Sequence, residues 1–244
     1  MMVFMEQGGA ADNAPDEGTA CQGCGTCCRK GGPTLHVEDM PLFEAGHFVR
    51  EHCLTLRRGE LARDDVAEAL VPLEAELVKF RGSRPGLWAC QFLRPGERGC
   101  SVYAHRPVEC RALLCRDTRA IIDLSPRDRV TRADVLRATG APAAWLDVAE
   151  AHEDACGCAR SLPLALAVRA APEDGTACEA FLDLVRLDIA YRQIANERAD
   201  VPPSEMDFLF GRPLFVTASM YGLSVRQNAG GLVVTLEGPL PFEM

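Results

Sequence analysis

The chain has 244 residues, 48% hydrophobic and 25% charged, enough to bury a substantial core as one large or two small domains without a metal to make it fold. A net charge of -9 and a pI near 5.1, with no long basic run, exclude a generic nucleic-acid surface, because phosphate binding needs clustered Lys and Arg. The start, Met1-Met2-Val3-Phe4-Met5-Glu6-Gln7, has no basic region followed by an apolar stretch of signal-peptide length, and no later stretch reaches the length of a membrane span. A cytoplasmic protein with reduced thiols and no membrane partner is expected.

In chain order, Gly8 to Ala20 offers no large apolar side chain to offset its ordering entropy, so residues 1–20 are expected to be a disordered tail. Cys21-Gln22-Gly23-Cys24-Gly25-Thr26-Cys27-Cys28 then packs four of the chain's 12 cysteines into one short run. Val37 to Phe48 has helical spacing, with Glu38 and Asp39 near the start and Gly46 near the stop. Leu61 to Leu77 reads as helix in pieces, interrupted by Pro72. Leu77–Phe80 and Trp88–Leu93 read as short strands around a Gly82-Ser83-Arg84-Pro85-Gly86 turn, a small hairpin that would set Cys90 on a rigid element. Cys100 to Arg111 and then Cys115 follow, in a short helix started by Pro107, with Tyr103 as a core anchor.

Beyond a linker at Ser125–Arg129, Thr131-Arg132-Ala133-Asp134 is a capping box for a helix that stops at Gly140. Ala143 to Ala155 reads as the next helix. On it His152 and Cys156 share a face, with Cys158 just past the end, placed to complete or shield a metal site; Glu153 and Asp154 mark that turn as solvated, which favours an exposed His and two incidental thiols. Thr176 to Arg198 is the strongest helix, with Phe181, Leu184, Val185, Leu187, Tyr191 and Ile194 as its apolar stripe and Cys178 in a packing role. Leu214–Thr217 and Gly231–Leu236 have β character, the latter in a terminal hairpin turning at Asn228-Ala229-Gly230-Gly231. The expected fold is α+β, predominantly helical with short β-hairpins around a cysteine-rich metal-binding core. Residues 21–116 would form the cysteine-cluster domain, and residues 117–244 a helical region able to pack into the same domain.

The C-x2-C-x2-C spacing lets three thiolates converge on one centre, since Gly23 and Gly25 accept positive φ without steric penalty. Adjacent side chains diverge, so Cys27 and Cys28 do not both suit one tetrahedral site. Cys21, Cys24 and one of that pair then need a remote ligand, for which Cys90, Cys100 and Cys110 are candidates; Cys115 brings the cysteines of the two blocks to eight. Four thiolates carry net negative charge, and Arg29, Lys30, Arg106 and Arg111 lie beside them in sequence to offset it. Three close cysteines plus separated single ones favour an iron–sulfur cluster, of the 4Fe–4S kind, over zinc, whose ligands usually come as two pairs; eight cysteines suffice for one site or two.

Cys21-x2-Cys24-x2-Cys27-Cys28, then Cys90-Gln91-Phe92-Leu93, then Cys100-Ser101-Val102-Tyr103-x2-Arg106-Pro107-x2-Cys110-Arg111, closely resembles the CxxCxxCC, or YkgJ-like, cysteine-cluster family, described as zinc- or iron-chelating. The resemblance covers about Cys21 to Arg111 and implies metal or iron–sulfur binding, without a single assigned reaction. A related segment occurs in flagellin lysine methylases, where an iron–sulfur cluster is implicated in methyl transfer, so the resemblance also admits group transfer on a protein or peptide substrate. Phosphate-binding Gly-rich loops, G-x-S-x-G elbows and H-E-x-x-H helices are absent from the sequence. Two readings follow: a metal-binding protein with a structural, electron-transfer or metal-handling site, or an enzyme using the site for group transfer or redox chemistry.

Overall fold

The computed structural model describes residues 21–64, 67–84, 87–94 and 99–238, so the tail expected over residues 1–20 lies outside the described residues. The fold is α+β. Helix α1 (Thr26–Lys30) follows the first cysteines, and α2 (Met40–Glu44) follows a single 3-10 turn at Val37–Asp39. Strands β1 (Cys53–Leu56), β2 (Leu61–Asp64), β3 (Ala69–Pro72), β4 (Leu77–Phe80), β5 (Gly82–Arg84) and β6 (Leu87–Cys90) come next. Then α3 (Val108–Ala112), α4 (Arg119–Leu124), α5 (Arg132–Ala138), α6 (Ala144–Cys156), α7 (Cys158–Ala170), α8 (Gly175–Ala199), α9 (Met206–Phe210) and α10 (Leu214–Thr217) precede a closing hairpin of β7 (Leu223–Asn228) and β8 (Gly231–Leu236).

The strands form antiparallel pairs: β1 with β4, β2 with β3, β5 with β6, and β7 with β8. Three expectations are corrected here. Leu61–Leu77 contains the β2–β3 hairpin and not helix: Leu61 faces Pro72 at one end of the ladder, and the Ala67 amide donates to Asp64 Oδ1 at 2.9 Å beside the turn. Leu77–Phe80 pairs with the distant Cys53–Leu56 and not with the strand that follows it, because Val78 and Phe80 both bury their side chains and need a partner inside the core. The hairpin that carries Cys90 is β5–β6, where Gly82 faces Cys90; a Cβ at Gly82 would lie 1.7 Å from the Leu87 carbonyl oxygen, so only glycine fits that crossing.

Leu214–Thr217 is the third correction, a helical turn and not a strand. Pro213 leads into it, and the Leu214 amide donates to Asp188 Oδ2 at 2.9 Å, which satisfies a donor that a helix start leaves open. The Thr131 capping box forms, with the Asp134 amide donating to the Thr131 hydroxyl, and α5 ends just before Gly140. Helix α8 covers the expected segment, but its stripe is shifted: Phe181, Leu184 and Val185 are buried, Leu187 and Ile194 are exposed, and Asp188 and Ala195 take core positions.

One hydrophobic cluster joins Leu35, Phe43, Phe48, Val78, Phe80 and Cys90 to Val135, Trp145, Ala149 and the fully buried Phe208, Leu209 and Phe210. Burying a side chain such as Phe208 is worth about 1.5–3 kcal/mol, so this core fastens the cysteine-bearing segments to the later helices. Polar ties reinforce it: Arg50 grips Glu205 with two bonds of 2.6 and 3.0 Å, Arg132 Nη1 donates to the Leu209 carbonyl at 2.8 Å, and the Thr55 hydroxyl donates to the Phe208 carbonyl at 2.6 Å.

Candidate metal centre

The first cysteine loop is shaped by glycine. Gly23 and Gly25 have φ of 65° and 74°, in the left-handed region that side chains disfavour, and Gly25 sits at the start of α1. The Gly23 amide points at Cys21 Sγ (3.4 Å), and Cys24 Sγ lies 3.4 Å from the Thr26 hydroxyl. Arg29 reaches back to the Cys24 carbonyl at 3.3 Å. Tyr103, half exposed and not the expected core anchor, ties the loop to the second cysteine block by donating its hydroxyl proton to the Cys21 carbonyl at 2.9 Å.

The second block is held by buried carboxylates. Cys90 ends β6, which packs against α1, and Cys100 lies in a bridge to Leu93. Cys110 rides on α3. That helix is fixed because Asp39 Oδ1 accepts from the Val108 amide (2.8 Å) while Asp39 Oδ2 accepts from the His36 amide (3.0 Å). Glu109 closes the same joint from the other side, accepting from the Thr34 amide at 2.7 Å and lying 3.2 Å from His36 Nε2. Thr34 to Asp39, just after the first cysteine run, therefore clamps the helix that carries Cys110. Cys115 lies beyond α3, in the exposed turn between Leu114 and Asp117.

The thiols act on one another across the two blocks. Cys27 and Cys28 have their sulfurs 3.9 Å apart, and the hydrogen bond from Cys28 brings Cys27 down to about 6 while pushing Cys28 up. The Thr26 hydroxyl holds Cys24 below the ordinary thiol range. Burial pushes Cys110 up, with the charges of Cys90, Cys27 and Cys100 adding to it. Burial also raises Cys90, with Cys100 and Cys27 contributing. At Cys115 burial comes first, then the charges of Cys24, Cys27 and Cys21. Cys27 thus stands where two neighbourhoods overlap, one with Cys21, Cys24 and Cys115 and one with Cys28, Cys90, Cys100 and Cys110.

Burial first, and neighbouring thiolates after it, keep Cys90, Cys110 and Cys115 from ionising, and a bound cation would favour the thiolate against both. Among the described residues, no three His, Cys, Asp or Glu side chains already stand close enough together to hold a metal ion. The donor chemistry nevertheless fits a thiophilic metal or cluster: several sulfurs from both blocks influence one another, and glycine hinges flank Cys24. Cys24 and Cys115 are exposed while Cys90 is buried, so the group is sealed on one side and open on the other.

The expected compensating arginines take distinct places. Arg29 bonds within the first loop and lowers Cys27 through its charge. Arg106 stacks 3.6 Å over the Tyr103 ring and donates to the Tyr103 carbonyl at 3.0 Å, ordering the turn before Pro107. Arg111 donates to the Arg106 carbonyl (2.7 Å) and to Glu38 (2.6 Å).

His152, Cys156 and Cys158 are not exposed, contrary to the sequence expectation. All three are buried, and His152 Nε2 lies 2.7 Å from Asp188 Oδ1 on α8. Asp188 also accepts from Arg192 Nε at 3.1 Å and the Leu214 amide at 2.9 Å, and Arg57 donates to the Cys156 carbonyl at 3.2 Å. Burial pushes Cys156 and Cys158 each up to about 11, so both stay thiols at neutral pH. The one sequence signal for this network is the Asp188/Arg192 pair, four residues apart on α8.

Elsewhere Cys53 is a core residue, and Cys178 packs beside a second core, built on Phe181, Leu184, Val185, Leu214 and Leu223, and lies 3.4 Å from the Pro172 carbonyl.

A mixed α+β scaffold thus presents two cysteine blocks, one on a glycine-shaped loop and one on a carboxylate-clamped helix, as a thiol-rich candidate site. Residues 20–127 match the model of the CxxCxxCC family, described as "putative zinc- or iron-chelating domain", over under half of the chain. No curated protein and no solved structure matches the chain. No helix among the described residues is long and apolar enough to cross a membrane.

Proposed function

We propose that the two cysteine blocks of a cytoplasmic protein hold an iron–sulfur cluster, of the 4Fe–4S kind, through Cys21, Cys24 and Cys27 together with a thiolate from Cys90, Cys100 or Cys110. The observation that carries this reading is the physical junction of the two blocks, where α1 packs on the strand that ends in Cys90 and the Tyr103 hydroxyl donates to the Cys21 carbonyl at 2.9 Å. Cys28 then serves as hydrogen-bond donor to the Cys27 sulfur, a division of roles that suits adjacent residues unable to converge on one centre. Arg29 and Arg106, with Arg111 behind them, offset the negative charge. Once bound, the cluster would supply one-electron chemistry. The chain's contribution is to seal the inner thiols and leave the Cys24 and Cys115 side open. An edge of that kind supports electron transfer or metal handling over a closed structural role.

Zinc in the same thiolates is the second reading, and residues 21–116 would act as the binding unit in either case. Anaerobic purification followed by visible spectroscopy and acid-labile sulfide analysis separates the two. A brown protein with about as much sulfide as iron is expected; a colourless protein with stoichiometric zinc and no sulfide overturns the cluster. Group transfer on a peptide substrate is the alternative enzyme reading, and the open Cys24 edge supports it only in providing access.

A further inference from the structure

We infer that the groove between α6 and α8 is a docking face for a second copy of this chain, closed by a two-fold axis that runs along the groove. The two helices lie antiparallel: Trp145 Nε1 donates to the Ala199 carbonyl at 2.8 Å near one end, and His152 Nε2 lies 2.7 Å from Asp188 Oδ1 further along. Val148 and Ala195 lie in this groove, with Asp147 and Ala151 lining it from α6 and Ile194 and Arg198 from α8. Ile194 is 50% exposed, a large apolar side chain standing in water beside an apolar groove. The space is about 380 Å³, near the lower limit for a small-molecule pocket, and Asp147 and Arg198 are the charged groups among its lining residues. A side chain from another protein surface fits it better than a small ligand does.

The groove complements itself, and that selects the partner. Asp147 and Arg198 stand on opposite walls, within about one helical turn of each other along the groove. Neither makes an ion pair or a side-chain hydrogen bond among the described residues. A two-fold rotation about the groove exchanges its walls, so Asp147 of each copy faces Arg198 of the other. The same rotation carries Ile194 of each copy over the other copy's α6, beside Val148 and Ala151, because the antiparallel register sets Ile194 level with Val148. One apolar knob, one apolar gap and one charge of each sign therefore share a single face, which is what an isologous contact requires. Each copy carries a net charge of -9, so two copies repel unless opposite charges meet where they touch. Helix α6, with 13 residues, is about 20 Å long and limits the contact to the small end of stable interfaces, so the dimer is reversible. None of the eight cysteines of the two blocks lines this groove, and the inference does not rest on the metal reading.

The test is sedimentation equilibrium of the full 244-residue chain as purified, under reductant so that no intermolecular disulfide forms. A reversible equilibrium between single 26.5 kDa chains and pairs is expected below about 100 μM. Ile194→Asn, Asp147→Arg and Arg198→Asp should each weaken it about tenfold or more. All three positions are exposed, so the circular dichroism of the variants should match that of the unaltered protein. An equimolar mixture of Asp147→Arg and Arg198→Asp should pair again, within about threefold of the original affinity, because opposite charges then face each other across the two-fold. A single 26.5 kDa species at every concentration up to about 100 μM, a dimer that Ile194→Asn leaves unweakened, or a mixture that pairs no better than either charge variant alone would each overturn the inference.

Discussion

Asp188→Ala should destabilise the protein by about 3–5 kcal/mol, the cost of breaking a buried ionic network by removing one partner. Asp188 is fully buried and accepts from three donors, His152 Nε2 on α6, Arg192 Nε one turn along α8 and the Leu214 amide at the start of α10. Its removal leaves the Arg192 guanidinium, itself largely buried, without its nearest counter-charge, and opens the first amide of α10. Asp188→Asn keeps the shape and loses the charge, so a smaller but clear loss is expected. Urea unfolding curves of the variants measure both, and a loss below about 1 kcal/mol for the alanine variant would show that the network is dispensable.

The same network sets an acid sensitivity whose sign follows from its protonation. Burial lowers His152 below its ordinary value of 6.5, more than the Asp188 bond restores, so the folded protein holds it neutral. The unfolded chain takes up that proton as pH falls through about 6.5 and the folded one does not, so stability declines on the acid side of that value. Asp188 is held below the ordinary carboxylate range: burial opposes this, but the His152 bond, the Arg192 charge and the Leu214 amide outweigh it. Its contribution is lost further down, as pH falls through its depressed folded value. The stability of His152→Gln should vary less between pH 6.5 and about pH 5 than that of the unaltered protein.

Cys24→Ser, Cys27→Ser and Cys110→Ser should each weaken metal retention by at least about 100-fold, exceeding the 10–100-fold that loss of an outer-shell partner costs. Cys24 lies on the exposed loop and Cys110 on the clamped α3, so these variants sample both blocks while the hydrophobic core stays whole. Cys28→Ser keeps a donor next to Cys27 and should retain most of the metal. Cys178→Ser, beside the second core, and Cys53→Ser, inside the first, should retain all of it. Circular dichroism on each variant separates lost metal from lost fold. Metal content in either Cys24→Ser or Cys110→Ser equal to that of the unaltered protein would refute the assignment of ligands to both blocks.

Local signals in the sequence carried far. The Thr131 capping box, the long α8 and the closing hairpin at Asn228–Gly231 depend on neighbours within a few residues, and each lies where its residues place it. Pairings across distance were not legible: β4 looks like half of a hairpin with its successor, but its partner β1 lies more than twenty residues upstream. The clamp of Asp39 and Glu109 on α3 is hidden for the same reason, because Glu109 reads as a surface residue until Thr34 and His36 are brought beside it. The turn at Glu153 and Asp154 misled most, since two acidic neighbours mark His152 as solvated until Asp188 on α8 is brought beside it. The cysteine spacing named the candidate ligands, while the overlap of two neighbourhoods at Cys27 emerged only in three dimensions.

Native mass spectrometry of the anaerobically purified chain tests the central claim most directly, because it weighs what the thiols hold. The account predicts a species heavier than the bare 26.5 kDa chain by the mass of a bound metal or cluster, reverting to the bare mass when Cys24 and Cys110 are both replaced by serine. A bare-mass chain from the unaltered protein, with all eight cysteines of the two blocks open to alkylation, would contradict it.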